Sequence, residues 1–164
     1  MIYQDYLLRL LQQLTRFIAR ILKLRDEKQP AEALKVVQTA FDELFGGGRE
    51  WLKDVDSLTM ASLLEDPETM KAYAELLALE GQLLDDLGQL GLSRVRLQSA
   101  LELLLRAQLQ AHAQAMQAGT GSHSRSARPG MDDFPARIEA LKPLLGPTGV
   151  AEAYRNVLGS PTPS

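Results

Sequence analysis

Two aspartates flank a valine in DVDSLT, residues 54–59. Such a pair can divide the work of phosphoryl transfer, one carboxylate attacking phosphorus while the other moves a proton. That chemistry wants Thr or Val where Leu58 stands, and an apolar strand just upstream. GREWLK, residues 48–53, is no strand. Asp56 or Ser57 is therefore expected to cap a short helix by accepting from its first free amides. Asp85-Asp86 and Asp132-Asp133 are neighbours in sequence. On a helix, adjacent side chains diverge by about 100°, which suits neither a shared proton nor a shared metal.

His112 and His123 are the two histidines, too far apart for the HxxxH or HExxH spacing of a helical zinc site. Ser122, Ser124 and Ser126 have His123 as their local base but no third group to orient it. GTGSHSRSARPG, residues 119–130, offers flexible glycines with Arg125 and Arg128 to a phosphate. It lacks the GxxxxGK[ST] spacing and opens no helix directly, so a linker is expected. The chain has no cysteine, which removes disulfides, zinc thiolates and Cys nucleophiles. No constellation assembles nucleophile, base and orienting group. The expectation is a protein that is not an enzyme and uses no cofactor or metal.

The elements that carry these residues read as helices. Leu, Ala, Gln, Glu and Arg dominate while aromatic residues make up 5%, and straight-chain residues lose little rotamer freedom in a helix. Tyr3, Leu7, Leu10, Leu14, Phe17, Ile21 and Leu24 recur at alternating spacings of four and three, predicting one helix over residues 3–28. Leu11, Ile18 and Leu22 widen its apolar face. Pro30 stops it. A second helix follows over 31–45, ended by Gly46-Gly47-Gly48, and Trp51 falls in a short irregular or helical piece. After the short helix that runs to about Glu65, Asp66-Pro67-Glu68 combines a cap, a Pro at the first helical position and an acid in the first turn. The helix it opens ends in LGQLG, residues 87–91, and Ser93 is expected to cap the next, to about Ala118. Residues 119–133 are loop chemistry, residues 134–158 form a C-terminal helical pair, and residues 159–164 are a tail. The whole, residues 1–164, suits a single all-α domain with a helical hairpin core over residues 1–118.

One helical phrase is written twice. VVQTAFDELF, residues 36–45, returns sixty positions later as RLQSALELLL, residues 96–105. Small residues recur seven apart in both places, Ala33 with Ala40 and Ser93 with Ala100, where two helix axes can approach closely. The order of Gly81, Leu84, Leu87-Gly88, Leu97 and Ala100-Leu101 within residues 76–103 resembles the tetratricopeptide repeat. Residues 17–44 follow it more weakly, and the units stand sixty residues apart rather than the repeat's usual period of about 34. The fold implied is all-α: a long N-terminal helix, antiparallel tetratricopeptide-like hairpins and a C-terminal helical pair. QDYLLRLLQQLTRFIARIL, residues 4–22, is also similar to the opening of an uncharacterised bacterial family of small all-helical proteins carrying such a hairpin. That resemblance implies a fold and no activity.

Stacked hairpins of this kind make a groove for a helix or an extended segment. The leading expectation is thus a helical protein–protein interaction module, its partner a protein or peptide met by Tyr73, Leu77, Glu80, Leu84, Arg94 and Leu97. Residues 1–28 hold six Lys/Arg against three Asp/Glu, and residues 41–92 hold three against twelve. That polarity makes a second copy of the chain a candidate partner. A pI near 5.4 and basic residues without aromatic interleaving speak against nucleic acid. The rival reading is a peripheral membrane protein whose first helix lies on anionic lipid through Arg16, Arg20, Lys23 and Arg25. Gln12 and Gln13 dilute that basic face and count against it. Charges interrupt each apolar run of the first segment, which fits neither a signal peptide nor a spanning helix, and the expected location is the cytoplasm.

Overall fold

The structure, a computed structural model, describes residues 2–118 and 134–159. Every α-helix predicted within them is present. These are α1 (Ile2–Asp26), α2 (Pro30–Phe45), α3 (Ser57–Leu64), α4 (Pro67–Asp86), α5 (Leu90–Ala118) and α6 (Phe134–Leu158), with a 3-10 turn over Glu50–Asp54. The expected loop over residues 119–133 and most of the tail lie outside the described residues. Among the described residues no helix is long and apolar enough to cross a membrane.

Local chemistry explains the boundaries. The Asp56 carboxylate accepts from the Thr59 amide at 2.9 Å and opens α3. Asp66 accepts from the amides of Glu68 and Thr69 at 3.0 and 3.1 Å and opens α4, with Pro67 in the first turn, where its missing N–H costs nothing. α6 is the expected pair in one run. Its backbone breaks at Gly146, with φ at +72°, between Pro143 and Pro147, whose rings cannot continue the hydrogen-bond ladder.

α1–α2 and α4–α5 are antiparallel hairpins closed by the same turn. The Gln29 amide donates to the Leu24 carbonyl at 2.9 Å and the Lys28 amide to the Arg25 carbonyl at 3.0 Å. Sixty residues on, the Gln89 amide donates to Leu84 at 2.8 Å and the Gly88 amide to Asp85 at 2.9 Å. This is the Schellman closure, which needs a left-handed residue, and the two occupants are Lys28 (φ +60°) and Gly88 (φ +79°).

α4 is the central helix. Fourteen of its residues are buried, and it touches α1, α2, α3 and α5. Its contact with α5 is the most extensive in the molecule because the helices meet at Gly81. A Cβ there would lie 2.7 Å from Leu97 Cγ and 3.2 Å from the Ser93 carbonyl oxygen. The Ser93 hydroxyl crosses the gap and donates to the Gly81 carbonyl at 2.6 Å. Ser93 therefore does not cap α5, which begins three residues earlier at Leu90; its hydroxyl is spent on the neighbouring helix. Ala40 and Ala100, the small residues of the echoed phrase, are both 0% exposed. The buried apolar cluster runs through all of α1 to α6, with Leu10, Leu14 and Ile21 as the fully buried members of α1.

Candidate functional site

The side chains expected to meet a partner are mostly inside. Tyr73, Leu77, Glu80, Leu84 and Leu97 are buried, and Arg94 alone of the six is exposed. The groove they were to line is filled by the chain itself. Phe41 and Phe45 of α2 pack on Tyr73 with ring centroids 5.0 and 4.9 Å away, and Leu97 closes over Gly81. The 3-10 turn delivers Lys53 to Glu80 at 3.1 Å. This face is therefore the seam between the hairpins, and of the six expected contacts it leaves only Arg94 open to a partner.

That seam contains a buried polar cluster. Lys53 Nζ also donates to Gln38 at 3.0 Å and sits 4.2 Å from the centroid of the Phe41 ring. Arg96 donates to the Lys53 carbonyl at 3.0 Å and pairs with the exposed Asp54 at 3.3 Å. Its Nε lies 3.3 Å from Glu80 Oε2, an ion pair without the alignment of a hydrogen bond. Burial, reinforced by the Glu80 charge, pushes the Tyr73 hydroxyl far above its ordinary range, so it stays neutral. A second cluster centres on Glu102. It accepts from Ser57 at 2.9 Å, Gln98 at 3.1 Å and Asn156 at 3.3 Å, while Arg106 donates to Ser57 at 2.8 Å and to the Asn156 carbonyl at 3.0 Å. In both clusters the charges are consumed in joining helices, and a buried acid or base so engaged is not offered to a substrate.

The candidates for chemistry are dispersed. Asp54 pairs with Arg96, and Asp86 with Arg25 at 2.7 Å. Asp85 and His112 stand exposed on different helices. His123, the loop serines, Arg125, Arg128 and Asp132-Asp133 lie outside the described residues. Among the described residues no group of three or more His, Cys, Asp or Glu could hold a metal.

The surface that does offer itself lies where α1 begins and both α2 and α3 end. A cleft of about 650 Å³ opens there, lined among others by Tyr3, Tyr6, Phe45, Leu63, Glu65 and Gln114. Tyr3 and Tyr6 are 53% and 51% exposed. The chain turns at Glu65 in a tight γ-turn, φ +66° and ψ −47°, with the Asp66 amide donating to the Leu64 carbonyl at 2.7 Å. A non-glycine residue in this conformation costs about 1–3 kcal/mol. Gln110 Nε2 holds it by donating to the Glu65 carbonyl at 2.5 Å. Sequence reasoning placed Tyr3 on the core stripe and passed over Tyr6. The available signal was the difference in length between α1, 25 residues, and α2, 16 residues.

No known protein family, curated protein or solved structure matches this chain.

Proposed function

We propose that the protein is a non-enzymatic helical module that binds a polypeptide partner, and that the partner docks in the cleft at the start of α1 rather than between the hairpins. The observation that carries this reading is the pair of half-exposed rings, Tyr3 and Tyr6, standing over the 650 Å³ cleft. Large amphipathic aromatics with few rotatable bonds anchor interfaces at low entropic cost. The buried ionic clusters support it from the other side, since their charges hold the scaffold together. Site-specific photo-crosslinking in the native cell tests the proposal. A benzophenone side chain at Tyr6 should give a discrete polypeptide adduct. The same probe at Val95, which is 53% exposed on the second hairpin, should give none. Equal adducts from both positions, or none from Tyr6, would overturn it.

A lipid surface is the second reading. α1 leaves Leu8 and Leu22 exposed at 56% and 41%, close to the exposed Arg9, Arg16, Arg20 and Lys23. Such a face suits anionic headgroups. Flotation with phosphatidylserine vesicles that is lost on Leu8→Asp would favour this reading over the first.

A further inference from the structure

The charge around the cleft narrows what can enter it. α2 and α3 both end on it, and neither has a basic residue in its last turn. Among the described residues no backbone amide beyond Phe45 bonds back onto the last turn of α2, so its terminal carbonyls keep their partial negative charge. The Glu65 carboxylate stands exposed on the rim, and Asp66, engaged in capping α4, lies beside it. Arg49 is the one cation of the lining. α1 and α4 begin on the cleft, and their N-terminal ends, about half a positive charge each, offset the C-terminal ends of α2 and α3, so the lining carries roughly one net negative charge, from Glu65 and Asp66 against Arg49. Tyr3, Tyr6 and Phe45 add ring faces, which attract cations through their quadrupoles.

From this charge and these rings we infer that the cleft selects a basic segment: an Arg or Lys side chain of the partner, flanked by an apolar residue that rests on Leu63 and Phe45. The inference rests on the polypeptide-docking reading above and adds the chemistry of the segment. An arginine suits the site best. Its planar guanidinium can stack on an aromatic ring while its five N–H groups serve the open carbonyls at the end of α2 and the Glu65 carboxylate together. Glutamate or aspartate in the same place would meet the Glu65 carboxylate and the open C-terminal end of α2, and is disfavoured by repulsion.

A random peptide library displayed on phage and selected against the full chain tests this, with affinities of the selected peptides read by fluorescence anisotropy. The selected peptides should be enriched in Arg or Lys next to an apolar residue. Glu65→Gln should weaken them about 1.5-fold to fivefold, as expected for an exposed charge pair. Arg49→Gln should tighten them, and raised salt should weaken them. Val95→Ser, far along the chain on the second hairpin, should change nothing. Neutral or acidic peptides that are lost on Tyr6→Ser would overturn the basic preference while leaving polypeptide docking intact. Peptides indifferent to Tyr6→Ser would overturn the cleft as the docking site as well. A dimer of the wild-type chain that dissociates on Glu65→Gln would give the cleft to a second copy and overturn the assignment to a foreign segment.

Discussion

The two hairpins share a turn, a helical phrase and a pair of buried alanines, yet they have different fates in the molecule. At the offset of sixty residues, Gly81 of the second corresponds to Ile21 of the first, Gly88 to Lys28, and Ser93 to Ala33. Gly81 lets α4 and α5 approach until Ser93 bonds the opposite backbone and Leu97 covers the seam. Ile21 stands at the matching place in α1, is itself 0% exposed, and belongs to a hairpin whose two helices share a less extensive contact than α4 and α5 do. The second hairpin thereby supplies most of the core, with fourteen buried residues in α4 and eleven in α5, while α1 buries three residues and leaves its opening turns beside the cleft. One supersecondary unit serves as core when its crossing is built from Gly and Ser, and as a rim when it is built from Ile and Ala.

The largest test of this contrast is Leu14→Asp. Leu14 is 3% exposed, and an unpaired carboxylate there should cost about 3–5 kcal/mol, read as a lowered denaturation midpoint. Wild-type stability would show that α1 is not docked through this face. Gly81→Ile, which writes the residue of the first hairpin into the second, should cost about 3 kcal/mol or more, because Leu97 and the Ser93 carbonyl already stand where the new side chain begins. Ala100→Leu and Ala40→Leu should each cost about 1–3 kcal/mol by overpacking, the first more than the second because α4 and α5 share the more extensive contact. Equal losses would weaken the contrast. The smallest effect has the opposite sign. Lys28 occupies a left-handed position that its counterpart Gly88 fills without strain, so Lys28→Gly should raise stability by about 0.5–1 kcal/mol in the same assay.

The helices were legible because their signals are local. Asp56 and Asp66 cap the helices they were expected to cap, Gly88 closes its turn, and the seven-residue spacing of small side chains marked both crossings. What could not be read is tertiary. Lys53, Glu80, Arg96 and Glu102 look like surface residues to any periodicity argument, and are buried because each finds a partner far along the chain. The expected partner groove failed for the same reason. An irregular stretch around Trp51 folds as a 3-10 turn that inserts Lys53 between the hairpins. Ser93 read as a cap because nothing in LGQLG announces that α5 begins at Leu90. The cleft follows from the unequal lengths of α1 and α2, which a stripe of apolar residues does not disclose.

Native-state hydrogen exchange tests the division between core and rim most directly. Amides of α4 and of residues 96–107 should exchange only through global unfolding. Those of the first three turns of α1 should exchange through local opening at clearly lower free energy. Protection of those turns equal to that of α4 would contradict it, because the beginning of α1 would then be as much core as the hairpin it was set against.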